Sequence, residues 1–120
     1  MEYLDEQEEF EQMIGRGAEV DPTSKAIVSG SVVIYFGANW CGPCKRVAPK
    51  VAELMAQNPQ IKWLKCDVDR NNYTPTYCQV KSIPAFMAIK DKKILGQAQL
   101  SDGDKLAEWV RQMFSNPVTS

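Results

Sequence analysis

The chain has 120 residues, a length that corresponds to one domain with a core of its own. Its 14 basic and 15 acidic residues give a net charge of −1, so nothing suggests nucleic acid or an anionic membrane as the main partner. The charge is uneven, because eight acids and one arginine lie within residues 1–21. We interpret that acidic run as a solvated helix face, with docking on a basic partner as the alternative.

Cysteine content and hydropathy indicate the compartment. Four cysteines are too few for a disulfide scaffold in a chain of this length. The acidic start has no apolar segment of the kind a signal peptide needs, and no run approaches the roughly 18 apolar residues of a membrane span. We therefore expect a cytoplasmic protein that does not enter a membrane.

Hydrophobic periodicity predicts alternating strands and helices along the chain. Asp5 and Glu8 are suited to cap the first helix, which Gly15 ends, and Pro49 is expected to kink the second long helix without breaking it. The predicted strands are 2–4, 32–36, 61–67, 83–89 and 93–100, and the predicted helices are 6–14, 22–29, 44–57, 71–80 and 101–116.

Two thiols lie at the junction between the strand at 32–36 and the helix that follows it. Cys41 and Cys44 are one helical turn apart, in the sequence Trp40-Cys41-Gly42-Pro43-Cys44. Unpaired backbone N–H groups and the helix dipole at this junction favour Cys41 as a thiolate, the form that attacks disulfides. Cys44 lies a turn further in and should be more shielded, so the pair divides into an attacking and a resolving sulfur.

Residues around the thiols fit redox chemistry better than the alternatives. Lys45 and Arg46 add positive charge, Gly42 lets a substrate backbone approach, and Pro43 holds the turn. The alternatives are an inert disulfide or half of a metal site. A four-cysteine metal site is disfavoured because Cys41, Cys44, Cys66 and Cys78 include only one close pair and the chain has no histidine.

The active-site sequence Trp40–Cys44 resembles that of the thioredoxin family. Lys65-Cys66-Asp67-Val68-Asp69 is similar to the end of the family's third strand, and Val80-Lys81-Ser82-Ile83-Pro84 resembles its segment leading to a cis-proline. The resemblance implies a single α/β domain over 1–120, with a mixed sheet flanked by helices on both faces. Its core would span 32–114, and the connection at 15–31 looks extended relative to a minimal member.

The resemblance also implies roles for residues outside the cysteine pair. Pro84 would be cis and lie beside the nucleophilic sulfur, while the backbone of Ile83 pairs with an extended segment of the substrate. We interpret Trp40 as a partly exposed flat surface beside the thiols that contacts substrates, with a core tryptophan as the alternative. Lys65 resembles the family lysine beneath the active site, although a solvated lysine at a strand end is an equally good interpretation.

Tyr35 is the main departure from the family pattern. Many members carry a buried aspartate at this position, proposed to take the proton of the resolving cysteine. A tyrosine, with an ordinary pKa of about 10, cannot act as that base at neutral pH, so we expect slower or more pH-dependent resolution. Gly37, Ala85 and Ala98 also depart from the family and are expected to alter the docking groove.

The function implied by the resemblance is reduction of protein disulfides by dithiol exchange through Cys41 and Cys44. It needs no metal and no organic cofactor within the chain. The partners would be disulfide-bearing proteins and an NADPH-dependent thioredoxin reductase that recharges the oxidised form, and the protein would be a monomer.

Two other functional interpretations stay open at this stage. One is a binding module on the same fold with incidental or regulatory thiols, motivated by Tyr35 and the altered groove residues. The other is an oxidase or isomerase, which would need an oxidising compartment. We interpret Cys66 and Cys78 as small buried hydrophobic residues, with regulatory oxidation or intermolecular bridging as the alternative, chiefly for Cys78.

Overall fold

The computed structural model describes residues 1–15 and 30–114. The predicted helix at 22–29 lies outside those residues. Within them, no helix has the length and apolar character needed to cross a membrane. The described elements, in chain order, are β1 (Glu2–Tyr3), α1 (Gln7–Met13), β2 (Ser31–Gly37), α2 (Gly42–Gln57), β3 (Ile61–Asp67), α3 (Tyr73–Tyr77), β4 (Ala85–Lys90), β5 (Lys93–Gln99) and α4 (Gly103–Phe114).

The five strands form one mixed sheet in the order β1-β3-β2-β4-β5. β2 lies at the centre, parallel to β3 on one side and antiparallel to β4 on the other. β1 joins β3 in parallel, and β5 pairs with β4 through a hairpin. This arrangement confirms the predicted α/β class, and it places the carboxyl end of the central strand directly before the cysteine motif.

Side chains of β2 alternate between two hydrophobic clusters, one on each face of the sheet. Val33 and Tyr35 pack on the side of α2 and α4, where Val47, Val51 and Leu106 are buried. The intervening residues of β2 pack on the other side, with residues of α1. Because both faces are covered, the strand is an almost continuous apolar run, as the sequence predicted.

The start of α1 differs from the predicted capping. The N-cap is Glu6 rather than Asp5, and the carboxylate of Glu9, not Glu8, accepts the backbone N–H groups of Asp5 and Glu6 at 3.2 and 3.1 Å. The helix therefore begins one residue later than the sequence indicated. Gly15 follows its end with a φ of +76°, a conformation that favours glycine, so the predicted stop is confirmed.

Helix α2 runs without interruption from Gly42 to Gln57 although Pro49 lies inside it. Because proline has no backbone N–H, the helix lacks one hydrogen bond at Pro49, yet helical turns continue on both sides of it. The helix ends at Asn58, whose backbone N–H and side-chain amide both donate to the Leu54 carbonyl oxygen, at 3.0 and 2.9 Å. The predicted end of this helix is confirmed, while the kink stays a prediction.

The bounds of α3 and β4 differ from the prediction for reasons that the structure shows. α3 covers Tyr73–Tyr77 rather than 71–80. It starts later because the Asn71 side chain accepts the N–H groups of residues 73 and 74 and so lies before the helix. It ends earlier, and Gln79, two residues past its end, has a φ of +60°, which is not helical. β4 begins at Ala85 rather than Ile83, since Pro84 has no N–H to donate to the sheet.

The last hairpin and helix agree with the sequence prediction. Asp91 and Lys92 have φ values of +50° and +72°, the left-handed conformations of a tight two-residue turn between β4 and β5. Asp102 caps α4 through one carboxylate oxygen, which accepts the N–H groups of Asp104 at 2.8 Å and Lys105 at 3.1 Å. Of the two caps that the sequence offered, Asp102 is therefore the one used.

Candidate active site

Cys41 and Cys44 are joined by a disulfide at the N-terminus of α2, so the structure describes the oxidised form. Cys41 is the N-cap residue of the helix, and its sulfur accepts the backbone N–H of Cys44 at 3.1 Å. Gly42 and Pro43 form the first helical turn between them. The sulfur of Cys41 thus lies where a helix N-terminus best stabilises negative charge once the disulfide is reduced.

The two cysteines differ in their surroundings rather than in their exposure. Cys41 is 4% exposed and Cys44 is 3% exposed, so the greater shielding expected of Cys44 is absent from the oxidised form. Lys45 and Arg46 are exposed beside them, where they add positive charge to this end of the helix. Any difference in reactivity between the two cysteines therefore depends on the groups that surround each sulfur.

The sulfur of Cys41 faces the loop that leads into β4. The Ile83–Pro84 peptide bond is cis, which confirms the expectation from the family resemblance. The carbonyl oxygen of Ile83 lies 3.8 Å from the Cys41 sulfur, and Pro84 is buried next to it. The backbone of Ile83 therefore lies beside the sulfur of Cys41.

Trp40 forms an exposed surface next to the cysteine pair. Its side chain is 67% exposed, and its indole N–H donates to a carboxylate oxygen of Asp69 at 2.9 Å. The sequence interpretation of Trp40 as a partly exposed residue is thus confirmed. Asp69 was not assigned a role from the sequence, although its position two residues beyond the buried strand β3 was a usable signal.

Tyr35 lies behind Cys44, buried against α2. Its hydroxyl donates to the carbonyl oxygen of Cys44 at 3.3 Å, and its ring stacks on Phe86 with 5.0 Å between centroids. Burial raises the pKa of the Tyr35 phenol above its ordinary value of 10.0. That direction agrees with the sequence argument that Tyr35 cannot act as a base at neutral pH.

A cavity of about 240 Å³ opens beside Cys44, between α2 and the sheet. Tyr35, Lys45 and Lys65 line it together with apolar residues of α2. The ammonium of Lys65 lies 5.7 Å from the centre of the Tyr35 ring, within range of a cation–π contact. Lys65 is half-buried and shares the wall of this cavity with Cys44, while its role in the active site stays a prediction.

The other departures from the family pattern lie in the core or at its edge. Gly37 and Ala85 are buried, and Ala98 is half-buried on β5. A side-chain carbon at Gly37 would lie 3.1 Å from the ring of Tyr35. A side chain at position 37 would therefore act on the position of Tyr35. The expected effect of Gly37 on the docking groove stays a prediction.

Cys66 and Cys78 lie on the opposite face of the sheet from the active-site pair and are free thiols. Cys66 is fully buried, as predicted, whereas Cys78 is only half-buried at the end of α3. Burial raises the pKa of Cys66 to about 12 and that of Cys78 to about 11. Both are therefore poor nucleophiles at neutral pH, unlike a cysteine at a helix N-terminus.

Comparison with known proteins places this geometry in a family. The thioredoxin family model matches residues 7–112. Thioredoxin H-type of Ricinus communis is 34% identical over 90 residues, which are 75% of this chain and 76% of that protein. Thioredoxin of Chlamydia trachomatis is 37% identical over 86 residues, which are 71% of this chain and 84% of that protein.

Solved structures give the same result. Mitochondrial thioredoxin 3 of Saccharomyces cerevisiae, in its oxidised form, superposes with a TM-score of 0.77 at 27% identity, covering 93% of this chain and 94% of that one. The thioredoxin of Fasciola hepatica superposes with a TM-score of 0.67 at 34% identity, covering 71% of this chain and 82% of that one. With its cysteine pair at the helix N-terminus and this likeness in sequence and fold, the chain belongs to the thioredoxin family and is a thiol-disulfide oxidoreductase that reduces protein disulfides.

Proposed function

We propose that Cys41 is the attacking sulfur and Cys44 the resolving sulfur of this reductase. The observation that carries the assignment is the position of Cys41 at the N-cap of α2, where its sulfur accepts the Cys44 N–H at 3.1 Å. That N–H and the helix dipole stabilise the thiolate of the reduced form. Cys44 lies inside the first turn of α2 rather than at its N-cap, and it lines the cavity.

The exchange proceeds in two displacement steps. The Cys41 thiolate attacks one sulfur of the target disulfide, forming a mixed disulfide and expelling the other target sulfur as a thiolate. The Cys44 thiolate then attacks the Cys41 sulfur, forming the Cys41–Cys44 disulfide and releasing the second target sulfur. The target gains two electrons, the enzyme loses two, and the protons of the enzyme thiols pass to the target thiolates through solvent.

The substrate is proposed to bind in an extended conformation against the loop at Ile83 and Pro84. Backbone pairing would give affinity for many proteins without requiring a particular side chain. The proximity of the Ile83 carbonyl to the Cys41 sulfur, at 3.8 Å, supports this placement, because a segment paired there brings its cysteine to the nucleophile. The exposed ring of Trp40 would contact the same segment.

Each turnover leaves the enzyme oxidised, so a reductant must return two electrons to the cysteine pair. By family, we assign this role to an NADPH-dependent thioredoxin reductase. We further propose that the protein acts in the cytoplasm as a monomer and takes part in electron transport to protein targets. The free thiols of Cys66 and Cys78 suit a reducing compartment.

Trapping tests the assignment of the two sulfurs. A reduced Cys44→Ser protein should accumulate target proteins as mixed disulfides on Cys41, because the second displacement cannot occur. A Cys41→Ser protein should neither trap targets nor reduce insulin with NADPH and thioredoxin reductase. Cys78→Ser serves as the matched control and should retain turnover. Trapping by Cys41→Ser through Cys44 would reverse the assignment, and turnover by that variant would contradict it.

A further inference from the structure

The ring of Tyr35 is fixed within the core by contacts on several sides. The residue is 4% exposed, and its ring lies nearly parallel to that of Phe86, with 12° between the planes and 5.0 Å between the centroids. The ammonium of Lys65 lies on the cavity side, 5.7 Å from the ring centre. A ring held in this way presents its hydroxyl in one direction.

Gly37 leaves the space that the ring occupies. A Cβ at position 37 would lie 3.1 Å from Cε1, 3.2 Å from Cζ and 3.3 Å from the hydroxyl oxygen of Tyr35. Residues 35 and 37 lie two apart on β2, so their side chains share one face of the sheet. Any side chain at position 37 would therefore press on the end of the ring that carries the hydroxyl.

The hydroxyl links the central strand to the resolving cysteine. It donates to the carbonyl oxygen of Cys44 at 3.3 Å, and both groups are buried. Cys44 lies in the first turn of α2, where it must reach the Cys41 sulfur of a mixed disulfide during the second displacement. A bond that holds the backbone of Cys44 also limits where its sulfur can go.

We propose that Tyr35 is a positioning residue for the resolving step. Its hydroxyl holds the backbone of Cys44, and the absence of a side chain at Gly37 leaves room for the Tyr35 ring. This inference rests on the assignment of Cys44 as the resolving sulfur. It replaces the proton-accepting role that family members give to an aspartate at this position with a purely geometric one. The benefit is a higher effective concentration of Cys44 at the mixed disulfide.

Proton transfer from Cys44 does not involve the phenol. Burial raises the pKa of Tyr35, so the hydroxyl stays protonated and remains a donor at neutral pH. The other titratable side chains that line the cavity beside Cys44 are Lys45 and Lys65, and its described lining contains no carboxylate. Loss of the Tyr35 hydroxyl should therefore change the rate of the second displacement without moving its pH midpoint.

Stopped-flow reaction of the reduced protein with equimolar 5,5′-dithiobis(2-nitrobenzoate) separates the two steps. Attack by Cys41 releases one thionitrobenzoate, and displacement by Cys44 releases the second. In Tyr35→Phe the first phase should be unchanged, and the second should be slower by about five-fold, the effect of losing one ordinary hydrogen bond. The factor should be the same at every pH.

A double-mutant comparison links Gly37 to the same bond. Gly37→Ala should slow the second phase because its methyl group displaces the Tyr35 hydroxyl. In a Tyr35→Phe background it should add little further slowing, since the bond is already lost. Tyr73→Phe is the matched control, because Tyr73 is 75% exposed and lies outside the site, and both phases should match the wild type.

Each other outcome overturns the inference. An unchanged second phase in Tyr35→Phe shows that the hydroxyl does not position Cys44, and a shifted pH midpoint shows that it takes part in proton transfer. Equal slowing of both phases indicates a general effect on the fold, which urea unfolding of the same variant would register. A wild type that releases only one thionitrobenzoate per protein would contradict the assignment of Cys44 itself, which is a separate failure.

Discussion

The indole N–H of Trp40 donates to the carboxylate of Asp69 across a distance of 2.9 Å, joining the residue before Cys41 to the loop after β3. Since the Trp40 side chain is 67% exposed, packing alone does not hold it. The bond keeps a flat apolar surface in one orientation beside the cysteine pair. A substrate that binds there avoids the entropy cost of ordering the ring.

Removing this bond should weaken substrate binding without altering the thiol chemistry. In Asp69→Ala we expect the KM for insulin reduction to rise by about three- to ten-fold, which corresponds to about 0.6–1.4 kcal/mol, the net contribution of an ordinary hydrogen bond, because Trp40 and Asp69 are both exposed to solvent. Alkylation of reduced Cys41 should proceed at the wild-type rate. Asp69→Asn retains an acceptor oxygen and should recover most of the loss. A wild-type KM in Asp69→Ala would show that Trp40 needs no such support.

The two free thiols are expected to make the stability of the fold decrease at alkaline pH. Burial raises the pKa of Cys66 from 9.0 to about 12 and that of Cys78 from 9.0 to about 11. Since the folded protein holds these protons more tightly than the unfolded chain, their contribution to stability is complete below pH 9 and is lost as the pH rises towards 12. In the oxidised protein, the urea midpoint should fall across this window.

A variant without these thiols is the control for that pH dependence. Cys66→Ala combined with Cys78→Ala should start from a lower urea midpoint, because small cavities replace the sulfurs, and should lose less stability above pH 9. Tyr35, whose pKa is also raised by burial, still contributes to the loss in both proteins. The same steepness in both proteins would show that the thiols are not its source.

Helix α4 packs through its buried residues in a cluster that it shares with α2 and the sheet. Leu106 has no exposed surface and packs in the same cluster as Tyr35 and Val51. Leu106→Ala should lower the free energy of unfolding by about 2–5 kcal/mol, because it removes apolar contacts and leaves a cavity. Leu95→Ala, at a position 39% exposed on β5, should cost less than about 1 kcal/mol. Similar losses in both variants would contradict this description of the core.

The cap of α4 offers a test on a smaller scale. Asp102→Ala removes the carboxylate that accepts two backbone N–H groups, and it should reduce the free energy of unfolding by about 0.5–2 kcal/mol in urea titrations. Ser101→Ala changes the neighbouring exposed residue, which the structure does not use as a cap, and should be nearly neutral. The reverse order of effects would place the cap at Ser101.

Long elements with strong periodicity could be predicted from the sequence alone. β3 lies at Ile61–Asp67 as predicted, and α2 ends at Gln57 because Asn58 and Pro59 follow it. Ends governed by side-chain hydrogen bonds could not be predicted in the same way. Asn71 delays the start of α3, and the carboxylate of Glu9 accepts the backbone N–H of the α1 N-cap. In each case several nearby polar residues could have filled the role.

The same distinction between local and tertiary features holds for the active site. The cysteine pair and its helix N-terminus follow from local spacing, which a sequence displays directly. The contact between Gly37 and Tyr35 and the bond between Trp40 and Asp69 depend on how a ring turns or how two loops meet. Family resemblance gave the cis peptide at Pro84, which composition and periodicity could not have indicated.

The start of α2 is proposed to activate Cys41, and the rate at which iodoacetamide alkylates this residue in the reduced protein tests that claim. At pH 7 we expect Cys41 to be modified first and at least about ten-fold faster than an unstructured peptide cysteine, because the start of α2 stabilises its thiolate. Peptide mapping would identify the site, with Cys66 and Cys78 left unmodified. Alkylation of Cys41 at the rate of the peptide thiol would contradict the claim.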